Sequence, residues 1–255
     1  MNSIGIFDSG IGGLGIFNEI KKLLPKENII YLADSKNCPY GEKTETQIKK
    51  ICLDNTNFLI KKGAKLVVIA CNTGSTIALQ YVRNNLNQIQ PTRFDSQVPI
   101  VGVVPVVKTA AKKTKNKRIG ILATKVTIES DYLKSLVKKF CPNINVTYQA
   151  CGELVEMVEK SKIDINKLKS CLKPLIKAEV DVVALGCTHF PFARKEIEEV
   201  LGPKVKVLDS NGAVARHVKR VLTSNHQLLS SDKKAEYQFY SSTDKSKLEN
   251  NCFLP

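Results

Sequence analysis

The chain has 255 residues, 43% of them hydrophobic. That is enough for a buried core in one large domain or in two small ones of ~100–150 residues each. No apolar run approaches the ~20 residues that cross a bilayer. The opening Met1-Asn2-Ser3-Ile4-Gly5-Ile6 reads as a first strand and not as a secretion signal, so a soluble cytoplasmic protein without membrane association is expected. The net charge of +15 is spread over pairs such as Lys21-Lys22, Lys49-Lys50, Lys61-Lys62, Lys112-Lys113 and Lys138-Lys139. That spacing fits solvated helix faces. No basic stripe with interleaved aromatics stands out, so nucleic acid is not expected as a partner.

Short Ile/Val-rich runs predict strands at 3–8, 28–33, 65–70, 99–103, 118–123, 144–149, 180–185 and 204–208. Most are nearly continuous in apolar character, as strands buried on both faces of a parallel sheet are. Helical patterns lie between them, for example at 44–62, with Ile48, Ile51, Cys52 and Leu59 inward, and at 153–160. The alternation implies an α/β fold with parallel sheets. Past residue 209 a helix is predicted over 212–223 and a strand over 235–240. This tail can rejoin the first half, which makes that half discontinuous. A turn-rich stretch at 91–98 marks the boundary between halves, so the expected domains are 1–97 with 209–255, and 98–208.

The first predicted strand runs into Asp8-Ser9-Gly10-Ile11-Gly12-Gly13-Leu14-Gly15. Gly10, Gly12 and Gly15 fit G-x-G-x-x-G, and Asp34 ends the next strand 19 positions after Gly15. This approximates a dinucleotide-binding fingerprint, and a nicotinamide-dependent oxidoreductase is the alternative it supports. Against it, Asp8 and Ser9 separate strand from glycine, and a carboxylate there would face the pyrophosphate. The following Asp34-Ser35-Lys36-Asn37-Cys38-Pro39-Tyr40-Gly41 reads as a loop, able to hold a carboxylate on its amides or simply to turn.

Eight cysteines are present with no CxxC. In a chain of this size without a secretion signal, free thiols are expected over a disulfide framework. Cys187 and His189 form a single close pair without a second one, so no metal site is expected. Two of the eight share a setting. Cys71 follows Val67-Val68-Ile69-Ala70 and precedes Asn72-Thr73, whereas Cys187 follows Val183-Ala184-Leu185-Gly186 and precedes Thr188-His189. Cys187 lies 116 positions after Cys71, and Ile119-Gly120-Ile121-Leu122 lies 115 positions after the similar Ile4-Gly5-Ile6-Phe7. A constant offset across two motifs argues for two related halves. Each cysteine ends a strand, where open α/β sheets bind ligands. A thiol with an ordinary pKa of ~8.5 serves as acid or base near neutrality, and two of them can remove and deliver a proton at one carbon. The competing reading makes both buried structural thiols; their shared setting favours function. His189 can orient or exchange protons with Cys187, and Asn72, Thr73 and Thr188 offer donors to a carboxylate.

Phe7-Asp8-Ser9-Gly10-Ile11-Gly12-Gly13, Pro39-Tyr40-Gly41, Ala70-Cys71-Asn72-Thr73 and Gly186-Cys187-Thr188-His189-Phe190-Pro191 together resemble the signatures of bacterial glutamate racemases. The resemblance runs in order from about residue 4 to the strand near 240. It implies two pseudo-symmetric parallel-sheet α/β domains with the active site in the cleft between them, a homodimer, and racemisation of L- and D-glutamate without a cofactor, supplying D-glutamate for peptidoglycan. It further implies Cys71 and Cys187 as the acid/base pair, the first working on D-glutamate and the second on L-glutamate. Asp8 and His189 are implied as their polar partners and Glu159 as a supporting acid. Asp8, Ser9, Tyr40, Gly41, Asn72, Thr73, Thr188 and His189 are implied substrate contacts, with Thr124 and Thr127 as weaker candidates. Three positions depart from the family pattern: Gly74 where Ala is usual, Ala123 where Gly is frequent, and Asn211 where a small residue follows Asp209-Ser210. A related aspartate or hydantoin racemase would keep the thiols and change the side-chain pocket. A non-catalytic binding protein of the same fold would leave them without a purpose.

Overall fold

In a computed structural model, residues 2–86, 98–229 and 234–243 are described. They form two compact units, one from the spans 1–103 and 211–255, the other from 104–210. Of the expected boundary stretch 91–98, all but Val98 lies outside the described residues.

The first unit contains β1 (Ser3–Asp8), α1 (Leu14–Leu23), β2 (Asn28–Ala33), α2 (Glu45–Lys61), β3 (Ala64–Ile69), α3 (Asn72–Asn85) and β4 (Ile100–Gly102). The second contains α4 (Val107–Lys113), β5 (Arg118–Ala123), α5 (Lys125–Glu129), α6 (Asp131–Phe140), β6 (Asn145–Ala150), α7 (Glu153–Glu159), α8 (Ile165–Lys177), β7 (Val182–Gly186), α9 (Arg194–Leu201) and β8 (Lys206–Leu208). The chain then returns to the first unit with α10 (Asn211–Ser224) and β9 (Tyr237–Ser241). All eight predicted strands form, and the tail strand adds itself in parallel to β2. There Phe239 packs on Phe17 and Tyr31, with ring centroids 5.2 and 6.3 Å away.

Every strand pairing is parallel. The first sheet is ordered β4-β3-β1-β2-β9 and the second β6-β5-β7-β8. Read from the other edge, the second sheet is β8-β7-β5-β6, so β5 stands where β1 stands and β7 where β3 stands. The repeat legible in the sequence is therefore a repeat of topology. Its two glycines do the same work in each half. A methyl on Gly5 would come within 3.1 Å of Leu59 on α2, and one on Gly120 within 2.9 Å of Leu175 on α8. In both cases glycine lets the helix that precedes the cysteine-bearing strand close onto the central strand.

The strands β1, β3, β5 and β7 are buried almost throughout, which explains their largely apolar sequences. Strand β6 differs: it is an edge strand in which no residue is fully buried, matching its mixed Asn145-Val146-Thr147-Tyr148. Helix α2 starts at a capping box in which the Thr44 side chain accepts from Gln47 N and Gln47 accepts from Thr44 N. Its buried face is Ile48, Cys52, Thr56 and Leu59, with Ile51 only half-buried. The expectation of free thiols throughout is corrected at one place. Cys151 and Cys171 are disulfide-bonded, with Cα atoms 6.2 Å apart, whereas Cys38, Cys52, Cys71, Cys141 and Cys187 form no disulfide. Burial of Cys52, Cys71, Cys141 and Cys187 fits small apolar side chains.

Candidate active site

In the first unit, the groups expected to carry chemistry gather at the carboxyl ends of β1, β2 and β3. Asp8 ends β1 fully buried, and its Oδ2 accepts a 2.9 Å hydrogen bond from the amide of Gly13, the residue before α1. A carboxylate thus already occupies the helix start where a dinucleotide pyrophosphate would sit. The glycines of that loop answer to packing. A methyl on Gly13 would meet Asp8, the Tyr31 hydroxyl and Ala70 at 2.8–3.0 Å, and one on Gly15 would meet Asn211 Nδ2 at 2.5 Å. Asn211, a departure from the family pattern, thus fits against a glycine.

Cys71 follows β3 and stands directly before α3, 5% exposed, with Sγ 4.0 Å from Ser9 Oγ. Its carbonyl accepts from Ser75 N, and Ser75 Oγ bridges Ile69 O and Val103 N, so the strand-to-helix turn is fixed from both sides. Asn72 and Thr73 are buried in the first turn of α3, whose leading N–H groups have no intrahelical acceptor. Asn72 Nδ2 is a buried donor with no hydrogen-bond partner among the described residues. Leaving such a donor unmatched costs ~1–3 kcal/mol, so its place at the strand end points to a ligand acceptor.

Tyr40 and Gly41 lie in a 3-10 turn, Tyr40–Glu42, after a cis Cys38–Pro39 bond. The buried Tyr40 hydroxyl donates to Asp34 Oδ2 at 2.8 Å and accepts from Asn55 Nδ2 at 3.0 Å. Asn37 and Asn55 also donate to the Asp34 carboxylate. Asp34, read from spacing as an acid for a ribose, therefore holds the Tyr40 turn instead. Burial raises the Tyr40 phenol well above its ordinary range, and nearby Cys52, Asp34 and Cys71 push the same way; it stays a donor at neutral pH. Asn55, on α2, carried no sequence signal, because its partners are 15 and 21 positions away.

In the second unit, Cys187 follows β7 at 7% exposure, with Thr188 and His189 buried beside it. His189 Nδ1 lies 3.9 Å from Cys187 Sγ, and its Nε2 lies 2.7 Å from Glu159 Oε1. The carboxylate accepts from Nε2–H, which orients the ring and turns Nδ1 to the thiol. Glu159 ends α7, so a helix positions the third member of this chain. Thr124 and Thr127 bond to each other at a helix start. Thr124 caps α5, accepting from Thr127 N at 3.4 Å, and its hydroxyl lies 3.0 Å from Thr127 Oγ1. Ala123, another departure, pairs in register with Gly186, where a methyl would come 2.9 Å from Ala123 Cβ. Glycine before Cys187 accommodates alanine on β5.

The structure thus groups Cys71 with Ser9, Asn72 and Thr73, and Cys187 with Thr188, His189 and Glu159. Among the described residues no helix is long and apolar enough to cross a membrane.

The profile of the Asp/Glu/Hydantoin racemase family matches residues 13–218. A glutamate racemase of Shewanella halifaxensis is 44% identical over 224 residues, 86% of this chain and 80% of that protein. One from Clostridium perfringens is 35% identical over 96% of this chain and 92% of its own length. Among solved structures, Escherichia coli glutamate racemase, crystallised with L-glutamate and the activator UDP-MurNAc-ala, superposes with a TM-score of 0.83 at 32% identity, covering 98% of this chain and 92% of that one. The Francisella tularensis enzyme, in complex with D-glutamate, gives 0.80 at 31% identity, covering 98% and 91%. The two α/β units, the paired strand-end cysteines and these likenesses agree: the chain belongs to the Asp/Glu/Hydantoin racemase family.

Proposed function

We propose that this protein is a glutamate racemase, an isomerase that interconverts L- and D-glutamate with Cys71 and Cys187 as acid and base. The observation that carries the reading is the equivalence of the two cysteines. Each lies within two residues of the end of the strand beside the central strand of its sheet, and the two sheets share one strand order. In the reaction one cysteine, as thiolate, removes the α-proton; the other, as thiol, donates to the opposite face. The α-carbon is a weak acid, and each general acid–base group contributes typically ~10²–10⁴-fold. Both thiols are therefore required, together with donors for the charge that develops on the α-carboxylate. The Asn72 amide, buried and unmatched, serves as one such donor, and the first-turn amides of α3 as others. Ser9, Thr73, Tyr40 and Gly41 complete the binding groups on that side and Thr188 on the other. The His189–Glu159 pair supports Cys187, and Asp8 supports the Cys71 side.

Glutamate is favoured over aspartate and hydantoins as substrate because the similar curated proteins are glutamate racemases. No cofactor enters this mechanism. A cytoplasmic homodimer supplying D-glutamate to peptidoglycan is part of the same proposal, and sedimentation velocity tests the dimer. The deciding experiment is racemisation of L-glutamate in deuterium oxide without added cofactor. Solvent deuterium should enter the α-position, and Cys71→Ala or Cys187→Ala should each abolish turnover while leaving the circular dichroism of the fold intact. Full activity in either variant removes the mechanism. Turnover of L-aspartate or a hydantoin in preference to glutamate would reassign the substrate.

A further inference from the structure

Two cysteines outside the candidate site are placed where their state bears on it. Cys151 directly follows β6 and precedes Gly152, the residue before α7; Cys171 lies within α8. Their bond spans 20 positions and encloses the whole of α7. That helix ends in Glu159, which holds His189 Nε2 at 2.7 Å, and His189 faces Cys187. The pair is also reachable. An open cavity of about 560 Å³ is lined by Cys151, Cys171, Gln149, Met157 and Lys167. Cys171 is half-buried and Cys151 only 6% exposed, so Cys171 is the sulfur that meets a soluble reagent. Gln149 Nε2 donates toward Cys171 Sγ at 3.8 Å, and Lys167 sits one helical turn before it.

We propose that Cys151 and Cys171 form a reversible thiol–disulfide site, closed by a low-molecular-weight disulfide and opened by a low-molecular-weight thiol, that fixes α7 and with it Glu159. The effect on turnover rests on the reading of His189 and Glu159 as supports of Cys187. In closure, the Cys171 thiolate attacks one sulfur of the reagent disulfide. A mixed disulfide forms and one reagent thiolate leaves. Cys151, giving up its proton, then attacks the Cys171 sulfur and expels the second reagent thiolate. The protein loses two electrons and two protons, and the reagent disulfide becomes two thiols. Opening is the reverse. With the bond closed, the start of α7 is tied to α8; with it open, that covalent tie is lost and α7 is held by its packing and by the Glu159–His189 contact at its other end.

The test uses the full protein equilibrated in mixtures of reduced and oxidised glutathione. Part of each sample is alkylated and digested for mass spectrometry, and part is assayed for glutamate racemisation. The expected result is a Cys151–Cys171-linked peptide that accumulates as the mixture becomes oxidising, with turnover higher in the linked form by at least about five-fold, the low end of typical site–site coupling. Cys171→Ser should hold the turnover of the reduced parent throughout. Alkylation of both cysteines in every mixture overturns the proposal, as does a linked form with unchanged turnover. A Cys171→Ser protein that follows the parent's curve also overturns it, since the response then belongs to other thiols. If no sample racemises glutamate, the reading of the active site fails, and the linked peptide alone decides whether the pair exchanges.

Discussion

A methyl group on Gly74 would stand 3.2 Å from Sγ of Cys52 and 3.4 Å from Cβ of Cys71. The sulfur on α2 thus fills the space into which an alanine side chain on α3 would project, next to the proposed acid/base thiol. Ala is the better helix former by ~0.5–1 kcal/mol, but overpacking a filled site costs ~1–3 kcal/mol, so crowding wins. Gly74→Ala is expected to lower the thermal midpoint and to slow racemisation at least several-fold, because displacing a catalytic group by ~1 Å can cost ~10²-fold. Removing the sulfur in Gly74→Ala/Cys52→Ala should restore much of the rate. A double-mutant cycle on both readouts measures the coupling; additive effects would show that the two side chains do not compete for space.

The His189–Glu159 pair belongs to one cysteine only, which makes a directional prediction. At equilibrium the two enantiomers are equal in free energy, so kcat/KM must fall equally in both directions for any variant. Asymmetry appears instead in the primary deuterium isotope effect. His189→Asn should reduce kcat/KM by ~10²-fold or more. It should raise the isotope effect more for the enantiomer that Cys187 deprotonates, expected to be L-glutamate, than for its mirror image. Glu159→Gln keeps an acceptor for His189 Nε2 while removing the charge, so its loss should be smaller. Equal isotope effects with the two α-deuterated enantiomers would detach His189 from Cys187.

Much of this arrangement is legible along the chain because it is local. Strands buried on both faces are largely apolar, so β1, β3, β5 and β7 announce themselves, and the cysteines stand within two residues of the ends of two of them. The glycine-rich loop misleads in part, since Gly13 and Gly15 answer to Asp8, Ala70 and Asn211 and not to a phosphate. What spacing does not reveal is made by the fold. Asn55 reaches Asp34 and Tyr40 only when α2 packs beside β2. Cys171 reaches Cys151 only when α8 packs on β6. The complementarity of Gly74 to Cys52, or of Gly186 to Ala123, joins residues whose separation in sequence has no period.

Alkaline pH should destabilise the first unit through two buried groups. Burial pushes the Cys52 thiol well above the ordinary thiol range, with Asp34 and Asp8 adding to the shift. Burial likewise holds the Tyr40 phenol well above 10.0. Folding therefore retains protons that the unfolded chain releases. The stabilisation is fully present below the unfolded values and is lost as pH rises from them through the folded values, each group contributing a slope of about −1.4 kcal/mol per pH unit in its window. Urea denaturation from pH 7 to 11 should show stability falling from about pH 9, where Cys52 begins to act. Cys52→Ala should remove that first segment, and Tyr40→Phe the part beginning near pH 10. An unchanged pH dependence in Cys52→Ala would assign the loss to other groups.

At the opposite end of the same sheet, Lys65 Nζ lies 2.7 Å from Glu27, their side chains only 5% and 2% exposed. Lys65 also donates to the Gln227 carbonyl at 2.6 Å, and Glu27 accepts from Leu229 N at 2.8 Å. The pair therefore ties the chain leaving α10 to the starts of β2 and β3. An ion pair this buried gains from mutual attraction roughly what it loses in hydration, but removing one partner leaves the other charged and dry, at a cost of ~3–5 kcal/mol. Lys65→Met is expected to destabilise the protein by about that amount, and Glu27→Gln by a similar one. The double variant Glu27→Gln/Lys65→Met should recover part of the loss, because no uncompensated charge remains. None of these changes touches the strand ends that carry Cys71, so kcat of the folded fraction should stay within about two-fold of the parent's, as sites without shared partners act independently. Equilibrium denaturation with parallel racemisation assays checks both halves of the prediction. Single-variant losses that simply add in the double variant would show that the two charges do not interact.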